Sequence, residues 1–250
     1  IVVRLVARTT GCEGVYVVTG GTAGLGLLTG RWLAQRGARS VVLASRSGSL
    51  AKDAGVEWEA MEASGATPSL EQCDTGEAVH VLRLVPHTPS LSGVCHAAGV
   101  LADAVLPNQD APGFARVFAP KAYGAWSLHT AGATRAMDAV ALFSSVAALF
   151  GGGAQANYSA SNFCLDAFAG GRHARGTHGT SVQWGAWAEV GMAANDTVLA
   201  RMHASGFGLI GLIEGLEVLR RTLQPTCAAV FAMLPVRWGR MLGGTAAAPA

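Results

Sequence analysis

Short apolar runs recur along the chain, and most are followed by a stretch whose apolar positions have helical spacing. Runs of this length and composition predict buried strands. The predicted strands cover residues 15–18, 40–46, 69–73, 91–96, 140–143, 180–185 and 228–234. The predicted helices cover 27–37 (with Gly37 as the cap), 51–64, 76–84, 111–130, a segment that begins near 158, and 211–223. Strands that alternate with helices in this way predict an α/β fold, a Rossmann-like doubly wound parallel sheet.

The composition agrees with such a domain and argues against several other classes of protein. Of the 250 residues, 50% are apolar, 14% are charged and 33 are glycine, which favours buried parallel strands joined by many tight turns. The formal charge of +2 and the lack of a Lys/Arg run argue against a nucleic-acid surface. No apolar stretch is long enough to span a membrane, and no signal peptide is recognisable.

The cysteines and the chain ends add two expectations. The five cysteines lie far apart and form no CxxC pair, so we expect reduced thiols, a cytoplasmic protein and no metal site. The chain starts with Ile1 rather than Met, as a segment cut from a longer polypeptide would. We expect a lead-in or extra edge strand over 1–14, one catalytic domain over 15–242 and a disordered tail over 243–250.

Candidate catalytic side chains lie in residues 137–168. A strand ends at Ser144 and Ser145, a glycine-rich bend follows, and Tyr158 and Asn162 come four residues apart in the next segment. Residues at i and i+4 share one helix face. A hydroxyl at the carboxyl end of a strand and a phenol on the next helix are suited to donate hydrogen bonds and a proton to a carbonyl oxygen.

The turn after the first strand has the pattern T-G-x-x-x-G-x-G. Its glycines let the backbone approach a pyrophosphate, whose charge the N-terminus of the following helix stabilises. Because the pattern lies between a strand and a helix, it predicts a dinucleotide site; a tight turn without a ligand is the alternative. The residues concerned are Thr19, Gly20, Gly21, Thr22, Gly24, Leu25 and Gly26.

The end of the second strand indicates which dinucleotide binds. Ser45 and Arg46 stand there, with no carboxylate for the ribose hydroxyls. Arg46 can pair with a 2′-phosphate, so we predict NADPH rather than NADH; a solvated arginine is the alternative. Cys73 and Asp74 are expected to close the adenine pocket of the cofactor site. Ala97, Ala98 and Gly99 are expected to line the floor beside the cofactor; plain helix–sheet packing is the alternative for these three residues.

These motifs together resemble the short-chain dehydrogenase/reductase superfamily. Its commonest members place a Lys four residues after the Tyr and an Asn on an earlier helix, whereas this chain has Asn162 after Tyr158 and offers Lys121 earlier. The exchange resembles the ketoreductase domains of modular polyketide synthases and animal-type fatty acid synthases. The resemblance covers 15–242 and lacks the structural subdomain that usually precedes this half. The phrases that carry it are TGGTAGLG, VVLASRSG, CHAAGVLAD, VFAPKAYGAWSLH, ALFSSVAALFG, GAQANYSASN and SVQWGAWAEVGM.

The resemblance implies that Tyr158 donates the proton and that Ser145 bonds the substrate carbonyl, with Lys121 and Asn162 completing the catalytic set. Ser144 would then be a strand-end residue rather than the catalytic hydroxyl. An ammonium ~4 Å from the phenol would favour the phenolate by about 4 kcal/mol at an effective dielectric of ~20. That energy lowers a phenol pKa of ~10 by about 3. We therefore expect Lys121 to bring the Tyr158 pKa near neutral. Taken singly, a lysine on a helix face is usually solvated and a tyrosine usually packs.

The resemblance also implies a substrate and a stereochemical type. The substrate would be a β-ketoacyl chain on an acyl carrier protein, within a synthase that has neighbouring domains. Asp103 stands at the diagnostic position of the Leu-Asp-Asp signature of B-type ketoreductases; a turn-forming Asp is the alternative. Phe150 replaces the A-type Trp, and Gln155 is not the His that accompanies an epimerised α-substituent. These features imply a B-type reductase that forms an R-configured alcohol.

The segment 190–206 is expected to cover the acyl chain as a lid. Trp187 and Met192 are expected to touch the ligand, although both could equally be core residues. Two other classes of function stay open: a non-catalytic reductase-like scaffold of a synthase, and a free-standing short-chain alcohol dehydrogenase. The complete Lys, Ser, Tyr and Asn set counts against the scaffold, and the exchanged Lys and Asn count against the free-standing enzyme.

Overall fold

The strands of the described chain form one parallel sheet. The computed structural model describes residues 12–88, 90–132, 137–190 and 204–243. The order across the sheet is β3-β2-β1-β4-β5-β6-β7, and all neighbouring pairs are parallel. The predicted doubly wound α/β fold is therefore confirmed. The strands are β1 (Val15–Thr19), β2 (Ser40–Ser45), β3 (Thr67–Gln72), β4 (Leu91–His96), β5 (Ala139–Ser145), β6 (Thr180–Trp184) and β7 (Val230–Met233).

Helices connect successive strands, and each predicted helix has a counterpart. The first ends just before Gly37, which takes the left-handed conformation of a C-terminal cap (φ +95°). The two four-residue helices Ala147–Phe150 and Trp238–Met241 are too short to show a period in the sequence. The helices are α1 (Gly24–Gln35), α2 (Gly55–Ala63), α3 (Ala78–His87), α4 (Ala111–Phe118), α5 (Gly124–Ala131), α6 (Ala147–Phe150), α7 (Ala156–Ala174), α8 (Leu212–Thr222) and α9 (Trp238–Met241), with a 3₁₀ turn at Leu106–Asn108.

Side chains of β1 alternate between two apolar layers, one on each face of the sheet. Val18 packs in a cluster that includes Leu33 of α1 and Met61 of α2. Val17 packs in a second cluster that includes Val81 of α3. Successive strand residues point to opposite faces, and both valines are fully buried. Helices on both faces thus explain why the central strands read as continuous apolar runs.

The helix predicted over 111–130 is interrupted at the lysine that was expected to be catalytic. A π-helical turn, Ala119–Tyr123, joins α4 to α5, and Lys121 lies in its middle. Pro120 has no N–H to continue the α-helical ladder, and the wider turn accommodates that break. The prediction of one uninterrupted helix is therefore wrong at this point.

The chain order reverses between β1 and β4, which are neighbours in the sheet. Loops at the carboxyl ends of the strands diverge at such a point and leave a crevice between them. On one side of it, α1 starts very close to the turn after β1, because a Cβ added at Gly26 would collide with the carbonyl oxygen of Gly20. Only glycine permits this approach, so the turn and the helix N-terminus share one compact wall.

Parts of three predicted segments lie outside the described residues: 1–11 of the lead-in, 191–203 of the lid and 244–250 of the tail. Near the lead-in, the Cys12 N–H donates to the carbonyl of Arg36 (2.9 Å), just beyond α1. All five cysteines are free thiols. In the described ranges no helix is both long and apolar enough to cross a membrane, and no cluster of metal-ligating side chains is found.

Candidate active site

A cleft of about 680 Å³ opens at the carboxyl edge of the sheet, beside the β1–β4 reversal. Its wall comes from the turns after β1, β4 and β6, the π turn, the end of β5 and the start of α7. Residues far apart in the sequence therefore meet here. Those of the predicted site residues that form the wall are Gly20, Gly24, Leu25, Gly26, Ala97, Gly99, Asp103, Lys121, Ser145, Gln155, Tyr158 and Trp187.

The two serines at the end of β5 have different surroundings. Both serines line the cleft; Ser145 is half-buried, and its hydroxyl accepts the N–H of Ala147 (3.2 Å). The Ser144 hydroxyl is buried and donates to the carbonyl of Asn162 (3.2 Å). Because the Ser144 hydroxyl is engaged in a buried hydrogen bond, the Ser145 hydroxyl is the more available of the two to a substrate. This difference favours Ser145 over Ser144, and the role of Ser145 stays a prediction.

Lys121 is buried, with 3% of its surface exposed. Its Nζ donates to the carbonyl of Phe143 (2.9 Å) and lies 5.4 Å from the centre of the Tyr158 ring. Burial lowers the pKa of the Lys121 amine to about 8, and the Asp166 carboxylate partly opposes this change. The alternative of a solvated lysine is therefore wrong, and the amine is held against the tyrosine ring.

The expected lowering of the Tyr158 pKa is not found. Burial is the largest influence and raises the pKa of the phenol, because a phenolate loses solvation in the cleft wall. The Ser145 and Asn162 side chains partly oppose this change, and the Asp103 charge adds to it. The phenol is consequently held in its protonated form at neutral pH, which is the form that a proton donor requires.

Asn162 lies behind the cleft rather than in its wall. It is fully buried on α7, and its amide donates to the backbone carbonyl of Tyr158 (2.8 Å). Asp166, four residues further along the helix, accepts hydrogen bonds from the Ser181 hydroxyl (2.6 Å) and the Gln183 amide (2.7 Å) on β6. These contacts hold the α7 face that presents the phenol.

The predicted nucleotide-binding residues of the glycine turn fall into two groups. Gly20, Gly24, Leu25 and Gly26 line the cleft, whereas Thr19, Gly21 and Thr22 do not. Thr19 is fully buried, and its hydroxyl bonds His96. The backbone N–H of Gly21 donates to Ala44 (3.2 Å), which ties the turn to β2.

The end of β2 lies at the same edge as the glycine turn, because Ala44 pairs with Thr19 in the sheet register. Ser45 and the exposed Arg46 follow directly. Both residues therefore stand beside the turn, although neither lines the cleft.

The predicted adenine pocket and floor are only partly assembled around the cleft. Cys73 is buried, and burial raises the pKa of its thiol to about 11. The Asp74 carboxylate accepts the N–H of Gly76 (2.9 Å) and so stabilises its own loop. Ala97 and Gly99 line the cleft, whereas Ala98 does not. The described geometry therefore places the alanine–glycine floor closer to the cleft than the Cys73–Asp74 pair.

Two residues predicted to control stereochemistry contact each other. The Gln155 amide donates to the Asp103 carboxylate (3.0 Å), across the loop after β4 and the start of α7. The Asn157 amide donates to the carbonyl of Ala102 (2.8 Å), which adds a second link between the same two segments. Asp103 is therefore engaged with the residue three positions before Tyr158, rather than serving only a local turn.

The other predicted substrate contacts differ in position. Phe150 is outside the cleft wall, 46% exposed, and stacks near Phe207, which is in the wall (5.6 Å between ring centres). Trp187 is in the wall, is 4% exposed and packs on Trp184 (5.1 Å), so it is both a core and a cleft residue. Met192 lies outside the described residues.

Sequence analysis assigned no role to three residues that hold the site together: Thr75, His96 and Asp166. All three are buried. His96 closes an otherwise apolar strand, and Asp166 is an acid among inward-facing positions of α7. An ionisable residue inside an apolar pattern is the signal that would have found the last two, since buried ionisable groups are ordinarily partnered.

Comparison with known proteins gives the family. The family model of the KR domain matches residues 14–189. The chain is 38% identical over 238 residues to polyketide synthase GfsB of Streptomyces halstedii, covering 94% of this chain and 4% of that protein. It is 40% identical over 201 residues to a mycocerosic acid synthase-like polyketide synthase of Mycolicibacterium smegmatis, covering 75% of this chain and 10% of that protein.

Solved structures agree. An A-type ketoreductase from a modular polyketide synthase superposes with a TM-score of 0.88 at 33% identity, covering 94% of this chain and 50% of that one. The first ketoreductase of the tylosin synthase gives 0.84 at 32% identity, covering 92% and 50%. The family match defines an oxidoreductase that acts on a ketone or alcohol. Within that class, the chain belongs to the KR domain family, the ketoreductase domains of modular polyketide synthases, and it spans half the length of these two solved chains.

Because the buried Lys121 is held in a poorly solvated site, Lys121→Met is expected to raise the free energy of unfolding at pH 7 by about 2 kcal/mol. A pKa lowered from 10.5 to about 8 corresponds to roughly 3 kcal/mol at ~1.36 kcal/mol per unit, and the lost bond to Phe143 offsets part of it. Urea unfolding measures the difference, with the exposed Lys52→Met as the control.

The pH dependence of that difference follows from the direction of the pKa change. A depressed folded-state pKa means that the unfolded chain binds more protons between pH 8 and 10.5. Wild-type stability should therefore rise across this window, and the advantage of the Lys121→Met variant should shrink. A variant that is less stable than wild type at pH 7 would contradict the assignment of a desolvation cost to Lys121.

Proposed function

We propose that this domain uses NADPH to reduce a β-ketoacyl thioester, carried by an acyl carrier protein, to the β-hydroxyacyl thioester. The observation that carries the proposal is the convergence of Lys121, Ser145 and Tyr158 in one cleft with the glycine turn after β1. Membership of the KR family supports the reaction class. The relatives' names, polyketide synthases, support a carrier-bound substrate and neighbouring synthase domains.

Each catalytic side chain has a role that follows from its surroundings. The Ser145 hydroxyl donates a hydrogen bond to the ketone oxygen. Tyr158, whose pKa is raised by burial, is protonated at neutral pH and transfers its proton to that oxygen as negative charge develops there. The Lys121 ammonium, 5.4 Å from the ring centre, stabilises the phenolate that remains.

The described residues fit a dinucleotide. Gly20, Gly24 and Gly26 form one wall of the cleft beside the start of the twelve-residue helix α1, where backbone N–H groups favour a pyrophosphate. Ser45 and Arg46 would hold the 2′-phosphate of NADPH at the end of β2. When bound, the nicotinamide supplies the hydride that reaches the ketone carbon.

The Asp103–Gln155 contact supports the B-type, R-forming stereochemistry. The bond joins the loop that carries the signature aspartate to the helix that carries Tyr158, so it can fix from which side an acyl chain enters. The solved relatives include domains described as A-type, A1-type and C2-type. This chain departs from the A-type pattern at Phe150 and at Asp103.

The alternative of a non-catalytic scaffold predicts that the catalytic side chains are not kept in position. The buried, desolvated Lys121 counts against it, because a charged lysine in this position destabilises the fold and has no structural use that an apolar residue would not serve better. The free-standing alcohol dehydrogenase is disfavoured by relatives in which the matched region is a small part of a synthase.

The first test removes the proton donor. Tyr158→Phe keeps the ring beside Lys121 but has no proton to give, so kcat for reduction of a β-ketoacyl thioester should fall about 10²–10⁴-fold. The rate of NADPH consumption, followed by absorbance, measures this kcat. Tyr123→Phe, which alters a 58% exposed tyrosine, is the matched control. Equal rates for wild type and Tyr158→Phe would remove this tyrosine from the mechanism, and an inactive wild type would favour the scaffold.

The second test concerns cofactor choice. Loss of a charge-assisted phosphate contact costs about 1.5–3 kcal/mol, so Arg46→Ala should raise KM for NADPH by about tenfold to a hundredfold and leave KM for NADH unchanged. Arg39→Ala is the control, because this exposed arginine precedes β2 at the opposite edge of the sheet. An unchanged KM for NADPH would assign Arg46 to ordinary solvated surface.

The third test is chiral analysis of the product. Wild-type enzyme and a β-ketoacyl thioester should yield mainly the R alcohol, provided that substituent priorities follow the usual naming. Gln155→Ala removes the partner of Asp103 and should lower the enantiomeric excess, because the loop after β4 loses its link to α7. Mainly S product from the wild type would show the B-type assignment to be wrong.

A further inference from the structure

Each end of the Lys121 residue is held by a different strand. At the side-chain end, Nζ donates to the carbonyl of Phe143 on β5 (2.9 Å). At the backbone end, the carbonyl of Lys121 lies 3.0 Å from Nε2 of His96, the last residue of β4. The neighbouring carbonyl of Pro120 accepts the Thr75 hydroxyl (3.1 Å). Side chains from outside the helix thus satisfy carbonyls that the π turn exposes.

The contacts of His96 define its protonation state. A carbonyl can only accept, so Nε2 carries the proton and donates to Lys121. Burial lowers the pKa of the imidazole to about 4, so the ring is neutral at pH 7 and Nδ1 is an acceptor. The Thr19 hydroxyl, 2.7 Å from Nδ1, must therefore be the donor. The ring forms a directed chain from Thr19 to the carbonyl of Lys121.

The imidazole is closely packed against the start of α5. It is fully buried, and a Cβ added at Gly124, the first residue of α5, would lie 3.0 Å from its Cε1 atom and 3.0 Å from Cβ of Thr75. Thr19 is the last residue of β1, directly before the glycine turn. His96 therefore lies between the start of the proposed nucleotide turn and the π turn that carries the lysine.

We infer that His96 is a positioning residue that sets the height of the Lys121 π turn against the sheet, and so places the ammonium beside Tyr158, through its Nε2–H bond to the lysine carbonyl. The inference deepens the proposed function and rests on it for the catalytic consequence. A shift of the turn would carry Nζ away from the Phe143 carbonyl. Misplacement of a catalytic group by about 1 Å can cost about 10²-fold in rate.

Two substitutions separate the two bonds of the ring. In His96→Gln the amide nitrogen reaches the place of Nε2 and can still donate to the Lys121 carbonyl. In His96→Asn the shorter amide reaches only the place of Nδ1, so it meets Thr19 and leaves the lysine carbonyl without this donor. We expect kcat of His96→Asn to fall by about tenfold to a hundredfold with little change in the KM of the thioester, and His96→Gln to retain most of kcat.

A direct measurement of the amine does not depend on turnover. The sequence contains two lysines, Lys52 and Lys121, so a protein labelled with ¹³C at lysine Cε gives two signals, which Lys52→Arg assigns. The Lys121 signal should titrate near pH 8 in wild type and in His96→Gln. In His96→Asn it should titrate nearer 10.5, because the released turn lets water reach the amine.

The outcomes are distinguishable. Loss of kcat and a shifted Lys121 titration in His96→Asn alone support the inference; identical behaviour of the Asn and Gln variants overturns it. If His96→Asn does not fold, ¹⁵N imidazole spectra of the wild type decide: a neutral Nε2–H tautomer at pH 7 supports the inference, and an Nδ1–H tautomer or a charged ring overturns it. The wild type could also prove inactive while the Lys121 titration shifts in His96→Asn and not in His96→Gln. That result would refute the proposed function and would still support the positioning role of His96.

Discussion

The segments around the cleft are arranged to accommodate one buried ammonium group. Lys121 has 3% of its surface exposed, and an isolated charge in such a place is strongly unfavourable. The fold compensates with the carbonyl of Phe143 at 2.9 Å and with the Asp166 carboxylate, whose charge favours the protonated amine. Neighbouring segments must therefore hold definite positions, because a small displacement would leave the charge without its partners.

That requirement explains the irregular helix. A regular α-helix from 111 to 131 would satisfy its own carbonyls and would leave none for the sheet to hold. The π turn at Ala119–Tyr123 instead exposes carbonyls that Thr75 and His96 can bond. Lys121 is thereby bonded to two strands, through its backbone carbonyl and through its side chain. A helix without these bonds could shift along the sheet and carry the lysine with it.

The phenol and the amine are coupled in a way that differs from a simple ion pair. Burial raises the pKa of Tyr158 and lowers the pKa of Lys121, so desolvation acts against the charged form of both groups. The resting site holds a neutral phenol beside an amine that is easily deprotonated. The Lys121 ammonium can stabilise negative charge on the phenol oxygen only once the proton has begun to leave. This suits a proton donor that must be protonated before the reaction and stabilised as a phenolate after it.

The sequence by itself determined the alternation of strands and helices, the glycine turn, and the residue types of the proposed catalytic set. These are local patterns: an apolar run, a T-G-x-x-x-G-x-G turn, and a Tyr and Asn four residues apart on α7. The sheet order, the π turn and the roles of His96 and Asp166 were decided only by the tertiary structure. The direction of the Tyr158 pKa belongs with them, since it depends on how much solvent the assembled walls exclude. Contacts between residues that are far apart in the sequence cannot be read from local spacing. The effect of desolvation on a pKa likewise depends on how far the folded chain buries the group.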